Sequence, residues 1–103
     1  MSKSMVLVTL HYTVPLDQID AHLVEHRELL MDLCARGIVI CSGPKNPREG
    51  GIILMNLDSV EKAEKILSND PFYREHLATY TYTLFTPVKC APAFQVFLDE
   101  GTN

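Results

Sequence analysis

The chain has 103 residues, 47% hydrophobic and 21% charged, with a formal net charge of −4. That length supports a single domain with one hydrophobic core, and this balance, free of low-complexity runs, excludes a disordered chain. With 13 acidic against 9 basic residues and no clustered basic face, nucleic acid is not an expected partner.

The opening Met1-Ser2-Lys3-Ser4 leads directly into a strand-like segment with no apolar leader core, and no apolar run is long enough to span a bilayer. The expectation is therefore a cytoplasmic protein without membrane association. Met5 to Val14 reads as a strand: Val6, Val8, Leu10, Tyr12 and Val14 share one face, and Met5, Leu7, Thr9, His11 and Thr13 share the other. Pro15 closes it, and Leu16 or Asp17 opens a helix running to Arg36. Leu16, Ile19, Leu23, Leu30 and Leu33 recur at helical spacing along its buried stripe, and Gly37 ends it.

Ile38 to Ser42 is a β-branched run and a second strand, followed by a loop from Gly43 to Gly51 rich in glycine and proline. Ile52 to Leu57, apolar on both faces, is a central third strand. Asp58-Ser59-Val60-Glu61 has the form of a capping box and starts a second helix, whose buried stripe is Val60, Ala63, Ile66 and Leu67. Asp70-Pro71 terminates that helix, Phe72 to Leu77 makes a short helical turn, and Thr79 to Thr86 alternates as a fourth strand closed by Pro87.

The order β-α-β-β-α-β predicts an α+β, ferredoxin-like fold in which a four-stranded antiparallel sheet carries two helices on one face. The folded core spans about residues 5–88 of a single domain covering residues 1–103. The other sheet face lacks a helical cover, which predicts a homodimer. Phe94, Phe97, Val96 and Leu98 make the tail too apolar for a free end, and they are expected to contact a neighbour. Cys34, Cys41 and Cys90 are odd in number and lack metal-type or Cys-x-x-Cys spacing, so they are expected to be reduced, buried fillers.

His26 stands where a leucine would complete the first helix's stripe, three residues after Leu23 and four before Leu30. A buried imidazole needs partners, since an unmet hydrogen bond there costs about 1–3 kcal/mol. Asp70 is the candidate, because both helices pack on the same sheet face. A carboxylate accepting from one ring nitrogen fixes the tautomer and leaves the other as a base. The plainer alternatives are that Asp70 caps the turn beginning at Pro71 and that His26 bonds a backbone carbonyl. Capping does not exclude holding His26 with the second oxygen.

His22 lies four residues before His26, a spacing that can bind a transition metal, but HLVEH lacks the HExxH order and a third ligand would have to converge by folding, so no metal is expected. His76 reads as a surface residue. His11 faces the open side of the sheet, where a dimer cavity or an interface would lie. Lys45 and Arg48 are either an anion clamp or ordinary solvated loop charges. Ser42 has no neighbouring base that would make it a nucleophile.

The succession of His26, then Ser42-Gly43-Pro44, then Asn69-Asp70-Pro71-Phe72 resembles the YciI-like family over roughly Met5 to Val88. The resemblance implies the dimeric α/β-barrel form of the ferredoxin-like fold, with an active site pairing His26 with Asp70 and Ser42 near the pocket mouth. Related enzymes in the wider group include a dehydrochlorinase of hydroxylated aromatics and the muconolactone isomerases. Where the family commonly carries an arginine one turn before the histidine this chain has Leu23, and where leucine commonly follows the histidine it has Arg27. Ser42, Gly43, Pro44, Phe72, His11 and Arg27 are the expected substrate contacts.

The function expected is acid–base chemistry by His26 and Asp70, lyase- or isomerase-like, on a small cyclic or aromatic carbonyl or hydroxyl compound, without metal or organic cofactor. The alternative is a non-catalytic ligand-binding or assembly module in which the pair is structural. Cofactor-free oxygenation has no sequence feature in its favour.

Overall fold

In the computed structural model, which describes residues 3–99, four strands form one antiparallel sheet in the order β2-β3-β1-β4. These are β1 (Met5–Tyr12), β2 (Val39–Pro44), β3 (Gly50–Met55) and β4 (Ala78–Phe85). The period-2 alternation of β1 sends Val6, Val8 and Leu10 into the core, opposite Met55, Ile53 and Gly51 of β3 and Leu84, Tyr82 and Tyr80 of β4. At Gly50 a Cβ would lie 1.9 Å from the carbonyl oxygen of Leu10, so only glycine fits there.

Helices α1 (Leu16–Ala21), α2 (Leu23–Ala35), α3 (Val60–Leu67) and α4 (Pro71–Arg74) supply the other half of the core. Ile19, Leu33, Ala63, Leu67 and Phe72 are buried against the sheet, each large aliphatic or aromatic side chain contributing about 1.5–3 kcal/mol. The described residues therefore make the ferredoxin-like α+β arrangement. No helix among them is long and apolar enough to cross a membrane.

Several boundaries and burials differ from expectation. The helix expected over Leu16 to Arg36 is interrupted at His22 (φ −115°, ψ 8°), and its last helical residue is Ala35. A one-residue break barely alters the phase of the apolar stripe, so periodicity does not reveal it. The cap of α3 is Ser59, accepting from the Lys62 amide at 3.1 Å; Asp58 instead pairs with the Lys62 ammonium at 2.8 Å. Strands β2 and β3 reach into the segment expected to be loop, closing it to five residues, Lys45 to Glu49.

The register shifts between Val39 and Cys41, so that Val39 faces Met55 on the helical side while Ser42 and Pro44 face Ile53 and Gly51 on that same side. Strict alternation from Val39 would have sent Ser42 the other way. The three thiols are exposed rather than buried. Cys41 stands on the sheet face without helices, opposite Leu54, Cys34 lies on α2 and Cys90 in the segment after β4. The tail forms a 3-10 turn over Pro92–Phe97, and the Lys3 ammonium donates to the Phe97 carbonyl at 3.0 Å, tying the turn beside the start of its own β1.

Candidate active site

The site is assembled where α2 passes over the start of α4. Asp70 precedes Pro71 in an extended conformation (φ −70°, ψ 130°), and its Oδ1 accepts from the Phe72 amide at 3.2 Å, which caps α4. The same carboxyl receives His26. Nδ1 of the imidazole lies 2.8 Å from Oδ1 and 3.0 Å from Oδ2, and since a carboxylate can only accept, Nδ1 carries the proton. Capping and histidine binding are thus carried by one side chain.

A third donor completes the shell. The Tyr80 hydroxyl, from β4, donates to Asp70 Oδ2 at 2.5 Å. Burial pushes the Tyr80 phenol far above its ordinary value, and the adjacent Asp70 charge adds to this, so it stays a donor throughout the accessible pH range. Asp70 is fully buried, and the His26 side chain retains 12% of its accessible surface. The imidazole lies flat on the Phe72 ring, with centroids 4.0 Å apart and planes at 9°, and Tyr12 meets Phe72 edge-on at 6.0 Å. Hydrogen bonds on one edge and a ring on one face leave His26 little freedom to turn.

Beside His26 a cavity of about 470 Å³ lies between α2 and the β2, β3 and β1 part of the sheet. Helix α2 lines it with Leu23, His26, Arg27, Leu30, Met31 and Cys34. The sheet contributes Leu10, Tyr12, Ser42, Pro44 and Ile53, and Arg48 closes it from the loop before β3. With Nδ1 held by Asp70, Nε2 is the ring nitrogen left for a ligand, and no other described residue bonds it. Among the described residues neither aspartate nor glutamate lines the cavity, whereas two arginines do. Arg48 Nη2 donates to Asp20 Oδ1 at 2.5 Å, and that guanidinium holds the Asp20 carboxyl below the usual range.

Of the residues singled out in the sequence, His26, Arg27, Ser42, Gly43 and Pro44 meet at this cavity, and Asp70 backs the histidine from behind. Phe72 is fully buried behind the imidazole and is not part of the wall. His11 is not part of it either, because it lies opposite Gly50 and Thr79 on the far side of the sheet, where its neighbour Tyr12 takes the cavity side. Lys45 is absent from the wall, while Arg48 is in it. His22 forms the helix break, and among the described residues no three metal-binding side chains converge. Tyr80 escaped sequence reasoning: the Thr–Tyr alternation of β4 marks two faces without saying which meets Asp70.

A family model, the YCII-related domain, matches residues 5–86. The chain belongs to the YCII-related family. No curated protein matches its sequence. Among solved structures this YCII-related domain is similar to 5-chloro-2-hydroxyhydroquinone dehydrochlorinase of Burkholderia phenoliruptrix AC1100, in complex with 2,5-dihydroxybenzoquinone. The TM-score is 0.61 at 18% identity, over 78% of this chain and 90% of that one. At that identity the likeness is one of fold.

Proposed function

We propose that this YCII-related protein is an enzyme in which His26, held by Asp70, moves a proton on a small cyclic or aromatic carbonyl or hydroxyl compound bound in the cavity. The observation that carries the proposal is the Nδ1–Oδ1 bond of 2.8 Å at the edge of a chamber walled by apolar side chains and two arginines. Asp70 keeps the Nε2 lone pair turned away from itself, and Tyr80 and the Phe72 amide hold Asp70 in place. Nε2 takes a proton from a carbon beside a carbonyl or from a ring hydroxyl. The electron pair left behind moves into the ring system, where it either expels a leaving group, as in a lyase, or is reprotonated elsewhere by the imidazolium, as in an isomerase. Residues on this chain suffice for that proton transfer, so no metal or organic cofactor is invoked. The similar solved structure is of a dehydrochlorinase holding a quinone, which supports a ligand of that size and shape.

The sheet face without helices, covered within the chain only around Met5, supports a second part of the proposal, that two copies pair through it. Ile52 and Phe85 remain 36% and 38% exposed there, next to half-buried Leu7 and Leu54.

The experiment is a turnover screen of hydroxylated aromatics, quinones and lactones on the native protein and on His26→Gln. Removing the general base lowers turnover by about 10²–10⁴-fold, while circular dichroism shows the fold retained. Undiminished turnover by the variant would falsify the assignment.

A further inference from the structure

We infer that the cavity selects a ring compound bearing an acidic oxygen, a carboxylate or an ionised enol, and that Arg48 binds that oxygen in exchange for Asp20. The inference deepens the proposed function, taking the chamber beside His26 as the substrate site. In a chain of net charge −4, the described wall of this cavity contains Arg27, Arg48 and His26 and no carboxylate. Such a wall repels cations, tolerates neutral rings and attracts anions. The apolar part, formed by Leu10, Leu30, Met31 and Ile53, fits the body of a ring.

Arg48 already demonstrates the contact. Its Nη2 donates to a carboxylate oxygen at 2.5 Å, but that carboxylate, Asp20, lies outside the wall and is half exposed, with side-chain accessibilities of 37% for Arg48 and 52% for Asp20. An ion pair in water is weak and readily exchanged. A ligand carboxylate entering the chamber offers the guanidinium fork the same kind of oxygen acceptor, while its ring packs on the apolar part of the wall. Arg48 shares the cavity wall with His26, and its guanidinium lies beside the Tyr12 phenol. Arg27, next to His26 in sequence, adds charge from the opposite wall.

The test compares benzoate with benzyl alcohol, which share a ring and differ in charge, by calorimetry and by amide shifts at the cavity. The native protein is expected to bind benzoate about tenfold more tightly than the alcohol. Arg48→Gln should remove most of that preference and leave the alcohol affinity within about twofold. Asp20→Asn, which frees Arg48 from its internal competitor, should tighten benzoate by about two- to fivefold. Equal affinities in the native protein, an equal loss of both ligands in Arg48→Gln, or no binding of either probe overturns the inference. The same titrations on His26→Gln keep the two proposals apart, because the charge preference survives there even where turnover is lost, and undiminished turnover in that variant sinks the proton chemistry alone.

Discussion

Replacing Asp70 with asparagine probes the pair that the whole site is built on. Three donors converge on the native carboxyl: His26 Nδ1 at 2.8 Å, the Tyr80 hydroxyl at 2.5 Å and the Phe72 amide at 3.2 Å. Asparagine offers one oxygen and one NH2 group. If its oxygen stands at the Oδ1 position it keeps both the Phe72 cap and the 2.8 Å bond from Nδ1, and the NH2 faces the Tyr80 hydroxyl; if it flips, the cap is lost and the NH2 is turned on Nδ1. Each bond to a charged group is worth about 1 kcal/mol more than its neutral counterpart, so three weakened bonds at a fully buried position cost about 3 kcal/mol. For a chain of this length that lowers Tm by about 12–24 °C. The imidazole can relieve the clash by moving its proton to Nε2, which presents the substrate with a donor in place of a base and lowers turnover by about 10³–10⁴-fold. Thermal melts followed by circular dichroism report the first effect and nitrogen chemical shifts of His26 report the second. A Tm drop below about 4 °C with Nδ1 still protonated would show that the carboxyl does not hold the ring as described.

Alkaline pH acts on the same residues from the other side. The Tyr80 phenol is raised far above its ordinary 10.0, and that of Tyr82 is pushed up to about 12 by burial and then by the nearby Glu64 charge. The folded protein keeps protons that the unfolded chain releases above pH 10, so stability is intact below that pH and falls as pH rises past it. Tyr80 alone sets a limiting slope of about 1.4 kcal/mol per pH unit, and half-exposed Tyr82 adds less. Urea midpoints at about pH 9 and about pH 11 measure the slope, and Tyr80→Phe should remove most of it; a flat profile contradicts the burial argument. Pairing through the open sheet face predicts sedimentation at twice the 11.6 kDa chain mass, reduced to a single chain by Leu54→Glu. A native protein that sediments as a monomer ends that proposal.

Short-range signals carried much of the fold. Strand alternation in β1 and the glycine stop at Gly37 reflect local backbone sterics or the period of one element and reappear in the structure, whereas β1 ends at Tyr12, ahead of Pro15, and α3 at Leu67, ahead of Asp70-Pro71, which starts α4 instead. Such signals miss the break at His22, because a single non-helical residue leaves the stripe in phase. They also miss the shift between Val39 and Cys41, which depends on how β2 pairs with β3.

By itself, then, the sequence determined the order of elements, the odd placement of a histidine in an apolar stripe, and the acidic residue able to meet it. Tertiary structure alone decided which neighbours share a space. The β2 register turned Ser42 toward the chamber, packing of β4 brought Tyr80 to Asp70, and the loop brought Arg48 to the cavity. Those contacts join residues far apart in the chain, and no local periodicity encodes a distance across the sheet.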